Sequence, residues 1–271
     1  MRLKEIYKPI ESGLRALEAV LSRAFSKNGR EASKISRFAV CAPGKRLRPA
    51  LVLFSSRVGG GRKRKSVDLA AAIEIIHTAT LIHDDVIDRS CLRRGKLSVR
   101  AKWGSGMAVL SGDFLFSRAF ELMTGLGEQK ITQNLLKTAI TMCEGELAGH
   151  AAVKRSSLSK NGYLALISRK TASLFAAGCE SGALMGNASA AKARALKDYG
   201  HNFGMVFQLT DDYLDMDGGR NETGRVLGKA GLKKEAEKYA KLARLALKKI
   251  KHSKIKSALE DLLDFVLKRA V

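Results

Sequence analysis

The distribution of proline limits this chain to a small set of folds. Its three prolines, Pro9, Pro43 and Pro49, all lie within the first 49 of 271 residues. Because proline interrupts helices more strongly than any other residue, the rest of the chain is free to form long helices. The 45% hydrophobic content is enough to bury a sizeable core. We therefore predict an all-α protein in which residues 1–271 form a single domain.

Apolar residues recur at helical spacing along most of the chain. From Ile6 to Leu21 they stand three and four residues apart, as on the buried face of an amphipathic helix. The segment 42–49 and the glycine run 59–61 are predicted to interrupt the helices. Helices are expected at 1–26, 50–58, 67–88, 106–125, 130–150, 160–186, 190–216, 231–251 and 253–270.

The chain is strongly basic, with 49 Lys and Arg against 26 Asp and Glu and a formal charge of +23. This charge predicts attraction to polyanions such as phosphorylated small molecules, nucleic acids or anionic membranes. No recognisable nucleic-acid-binding module accompanies it, so no nucleic-acid partner is expected. The lysine-rich faces of the last two helices are interpreted as solvated surface, with peripheral contact to an anionic membrane as the alternative.

Cysteine spacing and the N-terminal sequence bear on the compartment. The four cysteines are widely spaced without a CxxC pair, which argues against a zinc site or a disulfide framework. The N-terminal residues contain no apolar signal segment, and no stretch of about 18 apolar residues occurs. We expect a protein of the reducing cytoplasm.

Two similar acidic clusters end apolar helices. Asp84, Asp85 and Asp88 lie in HDDVID, and the pattern recurs in FQLTDDYLD with three more aspartates: Asp211, Asp212 and Asp215. Carboxylates crowded on one helical turn repel one another unless a cation binds them. Oxygen-only ligands suit Mg²⁺, which typically shares its shell with substrate phosphates. The sequence therefore predicts several Mg²⁺ ions held over a diphosphate.

Basic and polar residues accompany these clusters. Basic side chains stand near the first interruption, at Lys45, Arg46 and Arg48, and after the first cluster, at Arg93 and Arg94. Arginine binds phosphate oxygens bidentately, and lysine supplies a compact charge. Four further residues are candidates to line the space between the carboxylates: His77, Lys170, Thr171 and Gln208.

These motifs together resemble a known family. GKRLRP, HTATLIHDDVID with RRG, GDFLFSRAF, KTASLF and FQLTDDYLD occur in this order. As a set they resemble the trans-isoprenyl diphosphate synthases, or polyprenyl synthetases, over about 42–217 and again over the final helices. The resemblance implies an antiparallel helix bundle around a deep central cavity, the isoprenoid synthase fold, assembled as a homodimer.

The resemblance also implies substrates and residue roles. The chain is expected to condense isopentenyl diphosphate with an allylic prenyl diphosphate. The six aspartates would bind Mg²⁺ and the allylic diphosphate as catalytic residues, and Arg93 would also hold that diphosphate. Four residues are expected to hold isopentenyl diphosphate: Lys45, Arg48, His77 and Arg94. Three are expected to contact the allylic substrate and stabilise its cation and leaving group: Lys170, Thr171 and Gln208.

The residues within these motifs resemble those of octaprenyl-type synthases, which make quinone tails. Ala79 and Thr80, just before the first cluster, are small, whereas shorter-chain members of the family often place an aromatic residue there. We therefore expect a long-chain product. The alternatives are a synthase of geranylgeranyl or farnesyl diphosphate and a noncatalytic subunit of a heteromeric synthase.

The chain departs from the family pattern after the second cluster. Relatives carry GK-x-x-GxD there, and this chain reads GRVLGKAG at 224–231. Arg225 replaces the usual lysine, Ala230 replaces the usual aspartate, and Lys229 is retained; Arg225 and Lys229 are still expected to contact substrate. A substantial internal segment after Gly231 looks missing, which affects the expected closure of the site.

Overall fold

The structure is a computed structural model that describes residues 2–25, 31–61, 64–93, 95–154, 158–216 and 224–270. The side chains of residues 152–154, 225 and 270 are not described. Within these ranges no helix is long and apolar enough to cross a membrane.

Nearly all of the described backbone is helical, which confirms the all-α prediction. The helices are α1 (Leu3–Tyr7), α2 (Glu11–Ala24), α3 (Glu31–Val40), α4 (Leu47–Val58), α5 (Arg64–Ile87), α6 (Val99–Trp103), α7 (Ser105–Gly125), α8 (Gln129–Lys154), α9 (Lys160–Ile167), α10 (Ser173–Met185), α11 (Ala190–Asp215), α12 (Gly228–Leu247) and α13 (Lys254–Leu267). A π-helical turn, Ser168–Ala172, joins α9 to α10, and 3₁₀ turns occupy Lys8–Ile10, Gly224–Val226 and Lys268–Ala270.

Serine side chains fix the start of several helices. Ser159, Ser189 and Ser253 each accept a hydrogen bond from a backbone N–H in the first turn of α9, α11 and α13. Such N-caps satisfy donors that the helix itself leaves unpaired. They account for the close agreement between the predicted and observed starts of these helices.

The backbone divides into two compact units, each described by itself. As far as they are described, unit 1 contains residues 1–10, 51–62 and 133–271, and unit 2 contains residues 11–50 and 63–132. Unit 1 thus holds α1, most of α4 and α8, and α9 to α13. Unit 2 holds α2, α3 and α5 to α7.

In unit 1, α11 packs tightly against α10 and the π-helical turn. A Cβ atom added at Gly204 would lie 2.6 Å from Ala172 Cα, and one at Gly200 would lie 2.6 Å from Phe175 O. The rings of Phe175 and Phe203 lie 5.4 Å apart between their centroids. This close approach fixes α11, and with it the second aspartate cluster, against the turn that carries Lys170 and Thr171.

In unit 2, α5 is buried along most of its length and packs against α7. Gly112 of α7 leaves space for the ring of His83, which a Cβ atom there would overlap. His83 Nε2 lies 3.1 Å from Val109 O. This packing holds the polar end of α5, where the first aspartate cluster lies.

Three elements of unit 2 were not predicted: α3, α6 and a hairpin of β1 (Leu92–Arg93) with antiparallel β2 (Lys96–Leu97). Helices of ten residues or fewer are marginal alone and depend on tertiary packing; Ile35 and Val40 of α3 are buried. Two-residue strands are too short to show an alternating pattern.

The start of α12 also differs from the prediction. The helix begins at Gly228, which has a φ of 62°, and not near residue 231. Glycine is typical of a helix break, but buried Leu232 and Ala236 stabilise the first turns of α12.

Candidate active site

The first aspartate cluster lies where α5 ends in unit 2. Asp84 is half-buried and Asp88 is exposed. Because they are four residues apart, they lie on one side of the helix end. Arg89 then adopts a φ of 51°, and the chain turns into the β1–β2 hairpin. The helix end therefore presents one half-buried and one exposed carboxylate.

Asp85, the middle aspartate, differs from its neighbours because it is only 3% exposed. Arg93 Nε donates to Asp85 Oδ1 at 2.9 Å, and the Arg93 Nη2 group contacts the same oxygen. The hairpin folds Arg93 back onto α5. Asp85 is thus neutralised by a protein cation, and Arg93 remains 38% exposed beside it.

Arg48 and His77, both predicted to hold isopentenyl diphosphate, are neighbours in unit 2. Arg48 Nη1 lies 2.9 Å from His77 Nε2. Because arginine can only donate, Nε2 is the acceptor and His77 carries its proton on Nδ1. Lys45 is exposed in the segment before α4. Arg94 lies outside the described residues.

Arg46, named among the basic candidates, has a structural role. Its side chain donates to both Glu18 carboxylate oxygens, at 2.8 and 3.2 Å, to Glu74 Oε1 at 2.8 Å and to Val40 O at 3.0 Å. Its backbone φ is 50°. These bonds hold the segment that carries Lys45 and Arg48 against α2 and α5.

A cavity of about 650 Å³ opens beside the Asp85–Arg93 pair within unit 2. Thr78, Leu81 and Ile82 of α5 form part of its wall, and Phe25 and Phe38 add apolar surface. Its remaining basic lining residues are Lys34, Arg37 and Lys96. Apolar walls with a few charged groups are typical of small-molecule sites.

The second aspartate cluster lies at the end of α11 in unit 1 and repeats the arrangement of the first. Asp211 is half-buried and Asp215 is exposed, whereas Asp212 is 5% exposed. Gln208 Nε2 donates to Asp212 Oδ1 at 2.9 Å, and the Tyr163 hydroxyl donates to Oδ2. In each cluster the middle aspartate is buried and bound by protein donors, whereas the outer two are more exposed.

Thr171 extends this network. Its hydroxyl donates to Gln208 Oε1 at 2.8 Å, so three predicted residues, Thr171, Gln208 and Asp212, form one chain of hydrogen bonds. Tyr163 also belongs to this hydrogen-bond network, and no sequence motif points to it. Its only sequence signal is a polar hydroxyl on an otherwise apolar helical stretch.

Lys170 and Thr171 lie on the π-helical turn. Such turns widen a helix locally and often occur at functional sites. Lys170 Nζ lies 2.5 Å from Glu146 Oε2 on α8. The backbone of α8 approaches closely, because a Cβ atom at Gly145 would lie 2.8 Å from Arg169 Cβ. Glu146 is a second residue that the motifs did not identify.

Arg269, on the final 3₁₀ turn, contacts the second cluster. Its Nη1 lies 2.7 Å from Asp211 Oδ1, and its guanidinium carbon lies 5.9 Å from the Phe207 ring centroid. Burial raises the pKa of Asp211, and the charge of Arg269 opposes that rise. No motif pointed to this residue, since a single arginine near the end of the chain carries no pattern.

The residues after the second cluster are only partly described. Lys229 Nζ lies 5.2 Å from the Tyr213 ring centroid, two residues beyond Asp211 in α11. The side chain of Arg225 and the whole of 217–223 lie outside what is described.

The donor set suits magnesium without forming a closed cage. Among the described residues, no three His, Cys, Asp or Glu side chains converge as a ready-made metal cluster. Mg²⁺ is typically bound by one or two carboxylates, with waters and substrate phosphates completing its octahedron. The more exposed pairs, Asp84 with Asp88 and Asp211 with Asp215, fit that requirement, whereas the buried oxygens of Asp85 and Asp212 fit it less well.

Known proteins are similar to this chain in sequence. The family model described as Polyprenyl synthetase matches residues 30–258. The heptaprenyl diphosphate synthase component 2 of Geobacillus stearothermophilus is 39% identical over 228 residues, 84% of this chain and 71% of the relative. The geranylgeranyl diphosphate synthase of Methanosarcina mazei is 39% identical over 203 residues, 73% of this chain and 63% of the relative. The octaprenyl diphosphate synthase of Escherichia coli is 32% identical over 228 residues, 84% and 71% of the two chains.

Solved structures share the fold. A decaprenyl diphosphate synthase from Rhodobacter capsulatus aligns with a TM-score of 0.92 at 27% identity and covers 100% of both chains. A polyprenyl synthase from Caulobacter crescentus, complexed with calcium and isoprenyl diphosphate, aligns with a TM-score of 0.91 at 31% identity, covering 100% of this chain and 98% of that one. The expected isoprenoid synthase fold and the expected class, the trans-polyprenyl diphosphate synthases, are confirmed at the level of the family. The chain belongs to the polyprenyl synthetase family of prenyltransferases.

Proposed function

We propose that this protein is a Mg²⁺-dependent prenyltransferase that condenses isopentenyl diphosphate with an allylic diphosphate into an all-trans polyprenyl diphosphate. One observation carries the proposal. Each aspartate cluster offers a pair four residues apart in which one carboxylate is half-buried and the other is exposed, Asp84 with Asp88 and Asp211 with Asp215, at the polar end of a helix. Membership of the polyprenyl synthetase family supports the same chemistry.

The reaction begins when the bond between the allylic carbon and its diphosphate breaks. Mg²⁺ bound to the accessible aspartates would neutralise the charge that develops on the leaving diphosphate. Lys170 lies against Glu146 at 2.5 Å and is 37% exposed, so its ammonium group can exchange that carboxylate for a phosphate oxygen. Thr171 and Gln208 are held in one hydrogen-bonded chain and contribute fixed dipoles toward the allylic cation.

The second substrate then attacks the cation. Lys45, Arg48, His77 and Arg94 are proposed to hold isopentenyl diphosphate. The alkene of isopentenyl diphosphate forms the new carbon–carbon bond, and the released diphosphate accepts the proton that is lost. Arg93 remains partly exposed next to Asp85 and is proposed to bind the allylic diphosphate.

The product is proposed to be long-chain, for a quinone tail. Ala79 is fully buried and Thr80 is half-buried, and both are small for positions that precede the cluster by five and four residues. The named relatives range from geranylgeranyl to octaprenyl diphosphate synthases, so a shorter product is the alternative. Product length distinguishes the two.

A second copy of the chain is the proposed partner. Helix α8 exposes an apolar stripe at helical spacing, with Leu136 38%, Ile140 59% and Leu147 73% exposed. Such stripes mark protein interfaces. A relative named as component 2 of its synthase supports the alternative of a different partner chain, with this chain as one subunit. Light scattering of the purified chain, and of Ile140→Glu as the disrupted variant, tests the homodimer.

Further proposals concern the domain organisation, binding to membranes, the location of the protein in the cell and the lack of a nucleic-acid partner. The family match runs from residue 30 to 258 across both units, which supports a single domain. The formal charge of +23 supports peripheral binding to an anionic membrane, tested by liposome binding that high salt abolishes. A cytoplasmic location without a nucleic-acid partner remains the prediction.

The decisive experiment is an extension assay. The purified chain is incubated with Mg²⁺, radiolabelled isopentenyl diphosphate and an allylic primer of ten, fifteen or twenty carbons, and the dephosphorylated products are separated by length. A ladder ending in a long chain is expected. A short final product contradicts the length, and no product with any primer contradicts a self-sufficient synthase and favours the subunit alternative.

A further inference from the structure

A buried tyrosine outside the sequence motifs touches the second aspartate cluster. Tyr163 lies on α9, and its side chain is 0% exposed. Its hydroxyl donates to Asp212 Oδ2, and Gln208 Nε2 donates to Oδ1 at 2.9 Å. Both oxygens of this carboxylate are therefore bound by protein groups.

We propose that Tyr163 is a positioning residue of the second aspartate cluster, which fixes Asp212 and, through it, the orientation of Gln208 and Thr171. The proposal rests on the proposed function, in which Gln208 and Thr171 contact the allylic substrate. The hydrogen bond of Tyr163 is to Asp212, so we expect it to act on the substrate through that residue.

The order of donors in the network explains why the hydroxyl matters. Because Asp212 is a carboxylate that only accepts, Gln208 must turn its NH₂ group toward it. The amide oxygen of Gln208 then faces Thr171, whose hydroxyl donates to it at 2.8 Å. Each orientation depends on the one before it, so a change at Asp212 reaches Thr171 two hydrogen bonds away.

Tyr163 is fixed as a donor. Burial, followed by the nearby charge and hydrogen bond of Asp212, raises the pKa of Tyr163 far above its ordinary value. The phenol therefore keeps its proton. Removing the hydroxyl would take one hydrogen bond from a buried carboxylate oxygen, and a hydrogen bond to a charged group is worth more than one between neutral groups.

Packing holds the ring in place. Tyr163 belongs to an apolar cluster with residues of α9, the π-helical turn, α11 and α12: Ile167, Ala172, Met205, Leu209, Leu232 and Ala236. Side chains of several helices enclose the ring and hold its hydroxyl against Asp212. Helix α12, which follows the second cluster in the chain, thereby helps to set the geometry of that cluster.

The matched experiment compares Tyr163→Phe with Tyr199→Phe. Tyr199 is also 0% exposed, lies on α11 in the same unit, and donates to Leu259 O at 2.7 Å. Each variant keeps the ring and loses one buried hydroxyl hydrogen bond, so both should lose thermal stability. Only Tyr163→Phe should lower kcat, by about tenfold to a hundredfold, with a smaller change in the KM of the allylic diphosphate.

A double-mutant cycle with Asp212→Asn separates positioning from packing. If Tyr163 acts through Asp212, Tyr163→Phe should change kcat by less than about twofold in the Asp212→Asn background, because coupled residues are non-additive. A full additional loss of kcat in that background would overturn the proposal.

A second measurement does not depend on turnover. Calorimetry with Mg²⁺ and inorganic pyrophosphate should show weaker binding by Tyr163→Phe than by Tyr199→Phe. If the unmodified chain makes no product, the proposed function fails, and this comparison still decides the role of Tyr163. Equal binding by the two phenylalanine variants, or equal kcat where turnover is measurable, overturns it.

Discussion

Arg269 Nη1 lies 2.7 Å from Asp211 Oδ1, so the final 3₁₀ turn supplies a cation to the first aspartate of the second cluster. The two side chains are 26% and 30% exposed. Under the proposed function, the same carboxylate binds Mg²⁺. A guanidinium group and a metal ion therefore compete for one ligand.

Replacing Arg269 tests that competition. Arg269→Gln removes a partly exposed ion pair, which is worth about 1 kcal/mol, and should lower the Mg²⁺ concentration for half-maximal activity by about fivefold. Arg244→Gln is the matched control, because Arg244 pairs with Asp264 at 2.5 Å on α12 and α13. A higher Mg²⁺ requirement in Arg269→Gln alone would instead assign Arg269 to diphosphate binding.

The outer aspartates should be essential for rate. Asp84→Ala and Asp211→Ala each remove an accessible carboxylate from a cluster and should lower kcat by at least about a hundredfold, since the charge of the leaving group loses its stabilisation. Steady-state extension assays at saturating Mg²⁺ measure this. Asp198→Ala, at an exposed position on α11, is the control and should keep activity. Activity that survives both cluster substitutions refutes the proposed mechanism.

The middle aspartate of the first cluster should behave differently from its neighbour. Asp85 is buried and bound by Arg93, whereas Asp88 is exposed. Asp85→Ala leaves the guanidinium group without its partner and should lower the free energy of unfolding by about 1–3 kcal/mol. Asp88→Ala should leave stability nearly unchanged, because it reduces repulsion within the cluster. Urea unfolding measures both, and equal stabilities would contradict the structural role of Asp85.

The close packing under the π-helical turn gives a glycine prediction. A Cβ atom at Gly145 would lie 2.8 Å from Arg169 Cβ and 3.2 Å from Lys170 N. Gly145→Ala should therefore displace the turn, cost about 1–3 kcal/mol of stability and lower kcat through Lys170.

Gly162→Ala is the control for that variant. Its added Cβ would meet its nearest neighbours, Leu158 Cδ1 and Ser159 Oγ, at 3.4 Å, which is ordinary contact, and alanine favours α9. Thermal melts and extension assays on both variants are compared. If Gly145→Ala melts and turns over like Gly162→Ala, the turn tolerates displacement and the packing argument fails.

The sequence was sufficient for the longer helices and the motifs, because both depend on local patterns, whereas the short helices α3 and α6 depend on tertiary packing. The apolar run of α5 and the two aspartate clusters could be located without coordinates. Partners distant in the chain could not, since no local pattern encodes them. Tyr163 meets Asp212 across 49 residues, and Arg269 meets Asp211 only because the final turn returns to α11. In the sequence, the three aspartates of each cluster cannot be told apart. In the structure, the middle aspartate of each cluster is buried and the outer two are more exposed.

The last prediction concerns pH and His201. Its Nε2 lies 2.9 Å from Ser168 Oγ, and burial lowers its pKa, with Asp198 opposing the effect. In the unfolded chain this histidine takes up a proton near its ordinary pKa of about 6.5. In the folded protein it is protonated only at a lower pH, because its pKa is lowered. The contribution of His201 to stability is therefore complete above about pH 6.5 and is lost as the pH falls from there toward the folded-state pKa.

His201→Gln removes this titration and should flatten the fall in unfolding free energy as the pH decreases below about 6.5. His252→Gln, at an exposed position before α13, is the control and should keep the slope of the unmodified protein. Urea unfolding at a series of pH values measures all three proteins. Equal slopes in His201→Gln and the unmodified protein would show that other groups carry the acid sensitivity, because a neutral glutamine at this position binds no proton in either state.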